Sequence, residues 1–295
     1  MKDVVIVGGG PAGLTAAVYA LRASKTALVI EKASYGGQIN FSPKIENYPG
    51  FGEITGLELA DKISSHAISL GAECELDEIR SVEKIPGGFR LNGDFGSYEG
   101  KTVILATGAE HRRLGIEGEE KFTGNGVSFC AVCDGAFYAG RDVAVIGGGN
   151  SALQEAMLLS ENCRSVTVIQ NLPTLTGEKT LEEKLFAKEN VSVIYNSVAT
   201  EFVGEDALTG VKINSGEIIP CDGVFVAIGL APATAAFKEI AKTDDYGYFA
   251  AAEDCLTDTP GVFVAGDCRA KGVRQITTAV ADGAAAALAA VRYLG

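Results

Sequence analysis

Two cysteines three residues apart, Cys130-Ala131-Val132-Cys133, followed at once by Asp134, carry the chemistry most readily read from this 295-residue chain. The spacing lets both thiols lie at the first turn of a helix, where the dipole favours thiolate and the pair can close reversibly into a small disulfide loop. Asp134, beside the second thiol, is a candidate proton donor to a departing thiolate; a carboxylate placed there for the helix dipole is the plainer account. Half of a zinc site is the rival reading of the pair. It needs a second pair of ligands, and Cys74, Cys163, Cys221, Cys255 and Cys268 contain no second such spacing. His66 and His111, the only imidazoles, stand in no ligand-spaced motif. The residues favour reversible dithiol chemistry, with no metal.

A dithiol of this kind needs a source of electrons, and the elements around it indicate nucleotide-binding units. Residues 4–7, Val-Val-Ile-Val, run into Gly8-Gly9-Gly10-Pro11-Ala12-Gly13 and a helical stretch through Arg22. Residues 143–146, Val-Ala-Val-Ile, run into Gly147-Gly148-Gly149-Asn150-Ser151-Ala152 and a helical stretch to about Leu159. Each is followed by a second apolar strand, at 27–30 and 165–169, so the chain holds two βαβ units. In the first, Gly8 permits the tight turn, Gly10 lets the backbone approach a pyrophosphate, and Gly13 lets helix pack on strand. Free N–H groups at the helix start would hold the phosphates. Glu31, closing the second strand, is suited to a ribose hydroxyl pair.

Further motifs complete the pattern: Gly36-Gly37-Gln38, Asn47-Tyr48-Pro49-Gly50, Ala106-Thr107-Gly108-Ala109, Gly266-Asp267, Arg274-Gln275 and Thr278-Ala279. With the cysteine motif, and in this order, they make nearly the whole chain resemble the low-molecular-weight thioredoxin reductases. The resemblance implies FAD in the first unit, with Gln38 and Asn47 near the flavin ring and Gly37 and Gly108 in the motifs beside it. It also implies Asp267 on the ribityl chain, and Arg274, Gln275 and Ile276 along the pyrimidine edge. Cys133 would face the flavin, and Cys130 would attack the disulfide of thioredoxin. A homodimer is implied as well.

The second unit departs from that family. Its relatives carry His-Arg-Arg, with another Arg shortly after, where NADPH presents its 2′-phosphate. Here the strand ends Gln170-Asn171-Leu172-Pro173-Thr174-Leu175, with no cation before Lys179 and Glu178 preceding it. The acidic residue of an NAD site is also missing. The combination resembles the ferredoxin-dependent flavin thioredoxin reductases, so reduced ferredoxin is the expected donor. Arg269, Lys271 and Arg274 are the candidate docking patch for that acidic partner, with Arg112 and Arg113 as a second possibility and a solvated loop as the plainer account. An NADPH-dependent reductase with an atypical phosphate site and an FAD dithiol oxidase using oxygen are the alternatives.

The expected fold class is α/β: two Rossmann-like nucleotide-binding domains, the second inserted into the first. A discontinuous FAD-binding domain would take 1–110 and 242–295, and an NAD(P)-like domain carrying the dithiol 111–241. Thirty-seven glycines suit such a design. A formal charge of −13 argues against a general nucleic-acid binder. No secretory or membrane-spanning segment is read from the ends, and scattered cysteines do not suggest a secreted disulfide framework, so the cytoplasm is the expected compartment.

Overall fold

Apolar, β-branched runs form the parallel strands here, and the glycine turns that follow them start the helices. The computed structural model describes residues 1–42 and 45–295. The chain starts with β1 (Lys2–Val7), α1 (Pro11–Arg22), β2 (Ala27–Glu31), α2 (Gly56–Ser69) and β3 (Glu73–Leu76). Next come β4 (Ile79–Ile85), β5 (Gly88–Gly93), β6 (Ser97–Leu105) and β7 (Ala109–His111). Then follow α3 (Glu119–Phe122), β8 (Val127–Ser128), α4 (Ala131–Asp134), β9 (Asp142–Ile146), α5 (Asn150–Ser160), β10 (Ser165–Ile169) and α6 (Lys179–Phe186). The remainder is β11 (Val191–Ile194), β12 (Ala199–Gly204), β13 (Leu208–Ile213), β14 (Ile218–Pro220), β15 (Gly223–Val226), β16 (Leu230–Pro232), β17 (Val262–Val264) and α7 (Ile276–Leu294).

Two compact units result, one of Met1–Glu110 with Ala231–Gly295, the other of His111–Leu230. The return crossing falls after Leu230, earlier than the expected 242. The cause is packing: Phe237, Ile240 and Ala241 are buried with Val5, Val103 and Phe249 in a core of the first unit.

In the first unit a seven-stranded sheet runs β3-β2-β1-β6-β5-β4. The N-terminal half of β6 pairs antiparallel with β5, and its C-terminal half pairs parallel with β17. The helix α1 lies against α7 through alanines: Ala16, Ala17 and Ala20 share a buried cluster with Ala286, Ala287 and Ala290. Any side chain at Gly283 would overlap the Ala12 carbonyl, so the small residues set how closely these helices approach.

In the second unit a five-stranded parallel sheet runs β11-β10-β9-β15-β8, and β12-β13-β14 form a separate antiparallel sheet. This is the α/β architecture of two nucleotide-binding sheets that the paired motifs imply. Among the described residues no helix is long and apolar enough to cross a membrane.

Candidate functional site

The first glycine turn follows β1 at the C-terminal edge of parallel strands, where open α/β sheets bind ligands. Gly8 adopts φ +110°, and a side chain there would overlap the Ala106 carbonyl after β6. A side chain at Gly13 would overlap the Gly8 carbonyl, so this glycine serves the packing of α1 on its own turn. Gly10 differs. A Cβ there would meet no atom closer than the Gly36 carbonyl at 4.0 Å, so this backbone faces open space. Gly10 is also the N-cap of α1, with no side-chain acceptor for the helix's first N–H groups. These features fit a phosphate-bearing ligand.

Glu31 is buried at the end of β2. Its Oε2 accepts the Gly9 N–H at 2.7 Å and its Oε1 the Ala33 N–H at 3.0 Å, so it already holds the turn. Each oxygen keeps a free lone pair for a ribose hydroxyl. The Gly36 N–H donates to the Gly9 carbonyl at 2.8 Å, which brings Gly37 and exposed Gln38 beside the turn. Exposed Asn47 donates from Nδ2 to Gln275 Oε1 at 3.1 Å. Gln275 in turn caps α7, which Ile276 opens.

After β17 the chain turns through Gly266 to Asp267. Asp267 Oδ1 is buried, lies 3.2 Å from the Lys271 ammonium and accepts no hydrogen bond. Burial pushes this carboxyl above its ordinary range, against the opposing charges of Lys271 and Arg274. An acceptor in that condition fits a ligand hydroxyl. Arg274 donates from Nε to the Asp267 carbonyl at 3.1 Å and stacks its guanidinium 3.9 Å from the Tyr248 ring centre. Tyr248 was not anticipated, because nothing in its local sequence connects it to Arg274. Gly108, at φ +73° with no atom within 4 Å of the place a side chain would begin, is likewise open.

The structure corrects the expected docking patch of Arg269, Lys271 and Arg274. Arg269 is only 6% exposed and makes a two-nitrogen ion pair with Asp282, at 3.2 and 2.9 Å. Lys271 is buried between Asp282 and Asp267. Burial alone would raise the Asp282 carboxyl, but Arg269 and Lys271 hold it below its usual range. These cations neutralise internal carboxylates and are not a surface for an acidic partner. Arg112 and Arg113 are exposed, with Arg113 stacked 5.1 Å from the Phe129 ring.

The dithiol is in the second unit. Cys130 is the N-cap of α4 and Cys133 lies within it, their Cα atoms 5.3 Å apart and their sulfurs joined in a disulfide. The Cys133 N–H donates to Cys130 Sγ at 3.2 Å. Asp134 ends α4. Its Oδ2 accepts from the Ser128 hydroxyl at 2.7 Å, while Oδ1 is buried without a partner. Burial raises this carboxyl and the Ser128 bond only partly offsets it, as a proton donor requires. Ser128 carries no motif of its own and could not be picked out from sequence.

The second glycine turn is built otherwise than the first. Gln170, buried at the end of β10, tucks its amide under Gly148 and donates from Nε2 to the Thr174 carbonyl at 2.9 Å. Thr176 N–H donates to the Gly148 carbonyl at 2.7 Å.

A family model described as pyridine nucleotide-disulphide oxidoreductase matches residues 2–283. The thioredoxin reductase of Listeria monocytogenes is 43% identical over 298 residues, which span 99% of this chain and 93% of that protein. A 34.2 kDa protein in the rubredoxin operon of Clostridium pasteurianum is 42% identical over 305 residues, spanning 99% and 97%. The crystal structure of thioredoxin reductase from Streptococcus pyogenes superposes with a TM-score of 0.93 at 41% identity, covering 100% of this chain and 98% of that one. The chain therefore belongs to the pyridine nucleotide-disulphide oxidoreductases and, among them, to the thioredoxin reductases, flavoproteins whose cofactor is FAD.

Proposed function

We propose that this protein reduces thioredoxin through the Cys130–Cys133 disulfide and draws its electrons from reduced ferredoxin. The carrying observation for the first part is the disulfide itself, closed across the start of α4 beside Asp134, whose carboxyl burial pushes upward. FAD, when bound, accepts electrons singly and passes them on as a pair. Gly8, Gly10 and Gly13 would hold its pyrophosphate against α1, with Glu31 on the ribose. Asp267 would take a ribityl hydroxyl. Gly37, Gln38, Asn47, Gly108, Arg274, Gln275 and Ile276 would surround the ring.

Two electrons and two protons convert the disulfide to the dithiol. Cys130 Sγ, as thiolate, attacks one sulfur of the thioredoxin disulfide and displaces the other as thiolate. Cys133 Sγ then attacks Cys130 Sγ, which re-forms the internal disulfide and releases the second thioredoxin sulfur. Asp134 supplies a proton to a departing thiolate.

Support for the donor assignment comes from the second glycine turn. Residues 170–178 contain no cation to meet a 2′-phosphate, and the Glu178 carboxylate is tied to Asn150, the first residue of α5. Negative charge there repels the diphosphate that such a helix start would otherwise attract. The relative named for a rubredoxin operon fits supply by a one-electron carrier. Exposed Arg112 and Arg113 are the remaining basic pair for an acidic carrier. Steady-state thioredoxin reduction under anaerobic conditions, supplied in turn with reduced ferredoxin, NADPH and NADH, tests the assignment. Turnover with ferredoxin alone is expected. Saturable turnover with micromolar NADPH contradicts it.

A further inference from the structure

Glu155 sits on α5 between two turns that pack toward the dithiol. Ala152, Ala156 and Leu159 on that helix are buried in one cluster with Ala131 of α4. Leu159 comes within 3.2 Å of the place a Gly135 side chain would occupy. The Glu155 carboxyl faces the N–H of Ala131, the residue after Cys130, yet its Oε2 is shielded from solvent and accepts no hydrogen bond. Burial outweighs the Ala131 amide and pushes this carboxyl up to about 8. The other titratable groups on the elements packed around α5 are Asp134 on α4, Tyr138 just beyond it, Asp142 on β9, and Lys179, Glu182, Glu183 and Lys184 on α6. None of their charges contributes to the elevation.

We propose that Glu155 acts through Cys130: while neutral it leaves the attacking thiolate free to form, and once ionised it opposes that thiolate. The inference rests on the dithiol reading above. Coupling of this kind is reciprocal, so a Cys130 thiolate also keeps the proton on Glu155, and oxidation of the pair releases that hold. Glu155 thereby holds back the growth of Cys130 thiolate once the pH passes about 8.

The test uses the FAD-loaded protein carrying Cys133→Ser, with and without Glu155→Gln. Cys130 alkylation by iodoacetamide is followed by mass spectrometry from pH 6 to pH 10. Equal rates are expected at pH 6, where both side chains are neutral. Between pH 8 and 9 the Gln variant should react up to about tenfold faster, because a nearby charge shifts a thiol by on the order of one pH unit. Equal rates throughout, or a ratio constant with pH, overturns the role of Glu155 while leaving the dithiol intact. An unreactive Cys130 in both proteins overturns the dithiol reading itself. Should Glu155→Gln fail to fold, infrared titration of Asp134→Asn decides: a neutral-carboxyl band lost with a midpoint near 8 supports the proposal, and its absence at pH 7 overturns it.

Discussion

Asn150 and Glu178 hold each other twice: Asn150 Nδ2 donates to Glu178 Oε1 at 3.2 Å, and the Glu178 N–H donates to Asn150 Oδ1 at 2.7 Å. The pair closes the start of α5 with a carboxylate, where the equivalent start of α1 at Gly10 is open. Placing Arg at Asn171 and Leu172 and Gln at Glu178 should therefore create NADPH affinity. Each charge-assisted contact is worth about 1.5–3 kcal/mol, so calorimetry should register tightening by at least tenfold. No change would mean that the turn excludes dinucleotides for another reason.

Gly10 and Gly13 should separate flavin binding from folding. Gly10→Val meets open space and ordinary backbone angles, so the fold should survive while the pyrophosphate is displaced. Gly13→Val overlaps the Gly8 carbonyl and should lower the melting temperature whether or not flavin is present. Flavin absorbance per chain, read beside Tm, distinguishes the two. A fully yellow Gly10→Val protein would remove this turn from the flavin site.

Arg269→Ala should destabilise the fold and leave carrier docking untouched. Removing Arg269 leaves the buried Asp282 carboxylate with Lys271 as its one cation, at a cost of up to roughly 3–5 kcal/mol. Urea unfolding should report a loss of that order, and a loss below about 1 kcal/mol would indicate a solvent-screened pair.

Much of this was legible beforehand because glycine turns and apolar strand runs are local signals. The sequence at Gly8–Gly13 and at Cys130–Cys133 states its own geometry. The cations near residue 270 misled because sequence shows a charge and not its partner: Asp282 lies on α7, and only folding brings it to Arg269 and Lys271. Glu155 was missed for the same reason. It reads as an ordinary acid in a helix, and its burial is created by α4 packing across it. The return crossing was misplaced because β16 and the short turn after it carry no strong periodic pattern, and their assignment depends on the core that Phe237 enters.

Glu155 should also mark the stability curve. Its folded value, about 8, is above the ordinary carboxylate value of 4.5, so the folded chain binds the extra proton. Stability is then lost as pH rises between those values, at up to about 1.4 kcal/mol per pH unit. Glu155→Gln should be more stable than the native protein at pH 8, with the difference fading toward pH 4.5. Thermal melts of both proteins across this range check it, and a difference that does not vary with pH would assign Glu155 a purely steric part.

The most direct test of the account is a trap for its nucleophile. FAD-loaded Cys133→Ser protein, freshly reduced and mixed anaerobically with oxidised thioredoxin, should retain the partner as a mixed disulfide, since the resolving thiol is gone. Peptide mass spectrometry should place that bond on Cys130, and Cys130→Ser should trap nothing. Accumulation on Cys133 in the Cys130→Ser protein, with none on Cys130 in the other, would reverse the two roles and contradict the account.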